Sequence, residues 1–137
     1  MSDPMAKPLR ILMVLTVRYG KNGIANCVMN YISHLDPARV RCDLVCPNEP
    51  DETARALVEK TGGRVFVLLG RNRHPLRYIK LLSRLVRERE IQIVHAHGNS
   101  ATLFAELFAA KRGGAAVRMP HSENTTCNMK RIDRCRR

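Results

Sequence analysis

The sequence predicts an α/β fold, a single domain built on a doubly wound parallel sheet. Three observations carry that expectation. Short apolar runs of strand length recur along the 137 residues. Stretches with helical apolar periodicity separate them, and glycine, proline or asparagine stands at nearly every boundary. Strands that alternate with helices are joined by crossovers, which make neighbouring strands parallel, and right-handed crossovers leave few topologies.

The first strand is expected over Leu9 to Val17, a nearly continuous apolar run of the kind covered on both faces. The segment Tyr19-Gly20-Lys21-Asn22-Gly23 breaks it. From Ile24 the period changes: Cys27, Val28, Tyr31, Ile32 and Leu35 follow at helical spacing. Asp36-Pro37 closes that helix, because the residue before proline avoids helical angles. Val40 to Cys46 is the second strand. Asp51 and Glu52 then suit the positive end of a short helix running to about Lys60, stopped by Gly62-Gly63.

Val65 to Leu69 is the third strand. Pro75 fits a first helical position, and Tyr78, Ile79, Leu82, Leu85 and Val86 make the apolar stripe of a basic helix over 75–89. Ile91 to His95 is the fourth strand. The turn Gly98-Asn99-Ser100 leads to a helix carrying Leu103, Phe104, Leu107 and Phe108, ended by Gly113-Gly114. Ala115 to Met119 is the fifth strand. The folded unit is thus expected over 9–125, between a tail at 1–8 and a basic tail at 126–137.

Composition narrows the class. Apolar residues are 45% and charged residues 26%, a globular balance rather than a disordered one. Aromatics are only 4% and tryptophan is absent, so aliphatic side chains must build the core. No apolar run approaches the roughly 18 residues of a spanning helix, and the run near the N-terminus lacks a small-residue cleavage site, which argues against export. Lys plus Arg is 24 against 12 acids, a net charge of +12. That excess favours an anionic partner: a phosphorylated small molecule, an anionic membrane face or nucleic acid. The five cysteines lack CxxC spacing; Cys42 and Cys46 share one strand face and read as small buried hydrophobes in a reducing cytoplasm.

In open parallel sheets, ligands bind beyond the carboxyl ends of the strands, where strand order reverses. That rule gathers three segments: 18–23, 95–100 and 120–125. The Gly20–Gly23 segment offers backbone N–H groups at a helix start, suited to an anion such as a diphosphate; a tight turn alone explains its glycines equally well. It is neither a GxGxxG nor a GxxxxGK[ST] loop. His95 and His97 would point to one side if their strand ran that far. Such a pair can ligate a metal, but the sequence shows no partner carboxylate or cysteine for it, so no metal is expected. His121, Ser122, Glu123, Asn124 and Thr125 form a run in which every side chain can donate or accept a hydrogen bond. It suits a sugar hydroxyl or a phosphate, or else a helix cap; no GxSxG elbow supports a hydrolase.

The ordered segments RILMVLTVRYGKNGIANCVMNYISHLD, RCDLVCP, IQIVHAHGNSATLFAELFAAKRGG and AVRMPHSENT resemble the amino-terminal domain of family 4 glycosyltransferases, nearest in flavour to bacterial capsular and exopolysaccharide enzymes. The resemblance runs from about Leu9 to Thr125. It implies half of a GT-B enzyme, a Rossmann-like acceptor-side domain facing a second domain that holds most of the nucleotide-sugar. It further implies transfer of a sugar, with retention and without bound metal or cofactor, to a polysaccharide or lipid-linked acceptor.

The family's glycine-rich loop falls on Asn22, Gly23 and Ile24, with Ala25 where an acidic residue often follows. Its post-strand-five histidine, beside the transferred sugar, falls on His121. His97 and Gly98 match a segment shaping the acceptor side; Ser122 and Asn124, from the hydrogen-bonding run read above, are expected as further substrate contacts. The second domain's Arg/Lys pair and Glu-x7-Glu motif have no counterpart in these residues, so the chain is expected to stop before that domain and to be silent alone. The basic helix 75–89, with Arg71 and Arg73, is expected to meet anionic lipid at the inner face of the membrane from a cytoplasmic protein. The alternative is a stand-alone basic Rossmann-like module for RNA or another polyanion. It lacks a nucleic-acid motif and exposed aromatics for base stacking, so no nucleic-acid partner is expected.

Overall fold

A computed structural model of the chain describes residues 6–98 and 102–122. Five strands and four helices alternate: β1 Leu9–Leu15, α1 Gly23–Ser33, β2 Val40–Cys46, α2 Glu52–Lys60, β3 Val65–Val67, α3 Pro75–Glu88, β4 Ile93–Gly98, α4 Phe104–Gly113 and β5 Val117–Ser122. All pairings are parallel and the strand order is β3-β2-β1-β4-β5. The chain walks outward from β1 to β3, returns across the sheet through α3, and resumes at β4. The order therefore reverses between β1 and β4.

Period-two alternation splits the core into two layers. Leu12 and Val14 of β1 face one side with Val45, Val94 and Ala96, under Tyr78, Leu82 and Val86 of α3 and Ala109 and Ala110 of α4. Met13 and Leu15 face the other with Leu44, Cys42 and Cys46, under Val28 and Ile32 of α1 and Val58 of α2. Both faces of β1 are covered, which is why its sequence is continuously apolar rather than alternating. Each fully buried aliphatic side chain of this kind is worth about 1.5–3 kcal/mol.

Several boundaries differ from the sequence expectation, each for a local reason. β1 stops at Leu15, and β3 at Val67, where pairing with β2 ends at Cys46. β4 begins two residues later and runs on through His97 and Gly98, and β5 runs through Pro120, His121 and Ser122. The two strands stay in register from Ile93↔Val117 to Gly98↔Ser122, so this pairing carries residues expected in loops into the sheet. Pro120 is tolerated because β5 lies last in the strand order, where a missing ladder donor costs little. Gly113 belongs to α4 rather than to the turn after it. An added Cβ there would lie 2.6 Å from Val86 Cβ and 2.7 Å from the Ser83 carbonyl, so its bareness is what lets α3 and α4 approach. Gly114, at φ 94°, makes the left-handed cap.

Two buried carboxylates are matched by arginines. Asp43 of β2 accepts from Arg89 Nε at 2.8 Å and Nη2 at 3.1 Å, and from the Arg64 amide at 2.8 Å. Glu106 of α4 is fully buried and receives the guanidinium of Arg71, whose Nη2 lies 2.9 Å from Oε2. Arg71 also donates to the Thr102 carbonyl. Arg71 is thus committed to the interior of the fold and does not join a lipid-facing surface.

Candidate functional site

The parallel sheet sets the carboxyl ends of β1, β4 and β5 along one edge, and with them the described parts of the expected segments, 18–23, 95–98 and 120–122. At the carboxyl end of β1, Thr16 donates to the His97 carbonyl twice, from its amide at 3.1 Å and from Oγ1 at 3.0 Å. This clasp ties the β1 turn to the end of β4. The turn itself is fixed from below: the Tyr19 amide donates to Asn48 Oδ1 at 2.7 Å, and Asn48 Nδ2 donates back to the Tyr19 carbonyl at 3.2 Å.

Asn22 is the N-cap of α1. Its Oδ1 accepts from the Ala25 amide and its Nδ2 donates to the Arg18 carbonyl, each at 2.9 Å. Its side chain is therefore engaged in holding the helix start. Gly23 is the first helical residue and is exposed, and a Cβ added to it would meet nothing within 4 Å. The glycine is not demanded by packing or by a positive φ. Exposed Arg18 and Lys21 flank this positive helix end, which favours an anion at the amides of Gly23 and Ile24.

Gly98 has the opposite character. It is buried, and an added Cβ would fall 1.9 Å from Thr16 Oγ1 and 3.2 Å from Thr16 Cβ. Its bareness lets the clasp form, and it reaches a ligand only through its backbone.

His97 and His121 are register partners on β4 and β5, with ring centroids 4.9 Å apart. His95, two residues back on the same face, lies 4.1 Å from His97 and 5.4 Å from His121. The face is that of α1, because Met13 and Leu15 are the β1 partners of His95 and His97. Tyr31 of α1 stands beside all three rings, at 6.1, 6.1 and 6.3 Å. His97 is fully buried, whereas His95 and His121 are half-buried and Ser122 is exposed. From the rings an open apolar groove of about 450 Å³ runs down the sheet, lined by Met13, Tyr31, His34 and Met119 among others.

Of the residues expected at the site, Asn22, Gly23, Ile24, His97, Gly98, His121 and Ser122 all lie at carboxyl ends of strands or at the helix start that follows one. Asn124 lies outside the described residues, as do Glu123, Thr125 and the tail at 126–137. Sequence reasoning missed Thr16, which carries no local signal because its partner is far along the chain. It placed Tyr31 only in the apolar stripe of α1; an exposed phenol ring on that stripe is the one available hint. Cys42 and Cys46 are buried as expected, and burial pushes both thiols up to about 12.

A Rossmann-like α/β domain with its polar groups gathered at the switch-point rim is the class that fold and site define. The sequence profile described as Glycosyltransferase Family 4 matches residues 21–133, and the chain belongs to that family. No curated protein matches it. A solved structure with the same fold is the crystal structure of a glycosyltransferase from Rickettsia africae ESF-5, with a TM-score of 0.63 at 14% identity. That match covers 93% of this chain and 34% of the other, so the chain spans about a third of that relative's length. Among the described residues, no helix is long and apolar enough to cross a membrane.

Proposed function

We propose that these residues form the amino-terminal, acceptor-side wall of a retaining GT-B glycosyltransferase that moves a sugar from a nucleotide-sugar to a polysaccharide or lipid-linked acceptor. A capsular or exopolysaccharide product suits the resemblance best. The observation supporting this is the shared rim: His97 and His121 are register partners at the ends of β4 and β5, and Thr16, on the segment that leads from β1 to α1, donates to the His97 carbonyl.

His121 contacts the transferred sugar through its imidazole. Gly23 and Ile24 present amides toward the donor phosphates, Asn22 holds that helix end in place, His97 and Gly98 shape the acceptor side, and Ser122 and Asn124 are further substrate contacts. Bareness at Gly23, unexplained by packing, is what close approach of a ligand requires. The charge developing on the departing diphosphate falls to backbone dipoles and basic groups rather than to a metal, with the main share coming from a second domain.

The outer surface of α3 supports a peripheral membrane orientation at the inner face. Arg77, Lys80, Arg84 and Arg87 stand exposed along it, beside Leu76 at 82% exposure and nearby Leu69 at 71%. Basic side chains around protruding aliphatic ones match an anionic bilayer surface. Arg71 is absent from this set for the reason given above.

The test is complementation in the cells that carry the gene, with surface glycan as the readout. Deletion should remove a surface polysaccharide, wild type should restore it, and His121→Ala, expressed at equal level, should not. Polysaccharide that is indifferent to deletion, or fully restored by His121→Ala, refutes the reading.

A further inference from the structure

His95, His97 and His121 each offer one ring nitrogen, and these atoms all lie within 4.8 Å of one another. We propose that this triad is a binding site for a borderline divalent transition ion of the Zn²⁺ class, sharing His97 and His121 with the sugar-transfer rim, so that ion and sugar compete for the His121 imidazole. The pair on β4, short of a ligand when read along the chain, gains its third from β5 through the register that sets His97 beside His121.

The donor set decides the class of ion. Three imidazoles suit zinc, copper or nickel, whereas magnesium, calcium and manganese prefer oxygen; among the described residues no carboxylate or thiol joins the cluster. Three histidines with a fourth position open is also the pattern of zinc sites that retain a water or exchangeable ligand. The geometry is nearly formed. Zn–N bonds of about 2.0–2.1 Å at tetrahedral angles set nitrogens about 3.3 Å apart, so closure takes at most about 1.5 Å across the widest pair. Both strands are held in the sheet; His95 and His121 are half-buried, and His97 is fully buried. The open groove beside His95 gives the ion a path in. Binding would clamp β5 to β4 at the rim.

Titration of the 137-residue chain, thiols kept reduced, with Co²⁺ as a spectroscopic probe tests this. The expected result is one Co²⁺ per chain with the visible bands of four-coordinate geometry, no near-ultraviolet thiolate charge-transfer band, and displacement by one Zn²⁺. His95→Asn and His121→Asn should each weaken binding by about tenfold or more with unchanged far-ultraviolet circular dichroism. His34→Asn, outside the triad, should leave it unaltered. If one triad variant fails to fold, the other decides. The proposal is overturned by the absence of a four-coordinate spectrum, by a thiolate band, or by triad variants that bind like wild type. None of these readouts depends on glycosyl transfer, so loss of the metal site leaves that reading standing, and the reverse.

Discussion

The clasp at the rim makes Gly98→Ala an informative perturbation. Gly98 does not sit at a positive φ, so alanine meets no backbone strain there. In an unconstrained position the change would stabilise by about 0.4–1 kcal/mol through the unfolded chain. Against this, the new methyl falls 1.9 Å from Thr16 Oγ1 and 3.3 Å from Leu103 Cδ2. Overpacking of that kind costs about 1–3 kcal/mol, and displacing the hydroxyl breaks its 3.0 Å bond to the His97 carbonyl, for about 1 kcal/mol more. The clash outweighs the entropy, and a net loss of about 2–3 kcal/mol is expected.

Thr16→Ala alone should cost about 1 kcal/mol, since the 3.1 Å amide bond to His97 survives. It also removes the atom that alanine at 98 would strike. The double variant should therefore be more stable than Gly98→Ala by about 1–2 kcal/mol, a strong positive coupling. Urea unfolding followed by circular dichroism reads this as midpoint shifts at constant slope. Additive losses, or a Gly98→Ala protein as stable as wild type, would show that the ends of β1 and β4 are not joined in this way.

Arg71→Ala leaves the fully buried Glu106 carboxylate without its partner and should cost about 3–5 kcal/mol in urea unfolding; replacing both residues by apolar ones should recover most of it. Gly23→Ala, with open space around the new methyl, should keep stability within about 0.5 kcal/mol. The bulkier Gly23→Val should fail in the glycan complementation while still folding. Cys42 and Cys46, with thiols raised to about 12 by burial, should resist a disulfide reagent at neutral pH until the protein unfolds. Their unfolded counterparts ionise near about 8.5, so their contribution is complete below that pH. It falls as pH climbs from there toward 12, and a melting temperature that rises over this window contradicts the assignment.

Most of the fold was legible because each element carries a local signal. The run Leu9–Leu15 is apolar on both faces, the stripe Val28–Ile32 has helical spacing, and Pro75 and Gly114 punctuate at the right ends. What escaped was set by pairing at a distance. Nothing local in Met-Pro-His-Ser marks a strand, and proline argues against one; only the register with β4 extends β5 to Ser122. The same register makes neighbours of His97 and His121, which are far apart along the chain. The basic character of 71–89 was plain from composition, but the division between Arg71, spent on Glu106, and the exposed arginines of α3 depends on α4 lying alongside. Gly20, Gly23, Gly98 and Gly113 look alike as letters. The structure separates the two with open space, Gly20 and Gly23, from the two that make close packing feasible.

The proposed function requires the residues near Gly23, His97 and His121 to form one working rim. Backbone-amide NMR of the 137-residue chain, titrated with a panel of nucleotide-sugars and polyprenyl-phosphate-linked sugars, tests it directly. The shifts caused by at least one ligand should cluster at Gly23, Ile24, His97, Gly98, His121 and Ser122. Shifts confined to the outer surface of α3 or to the far end of the groove, with those six unmoved, would contradict it.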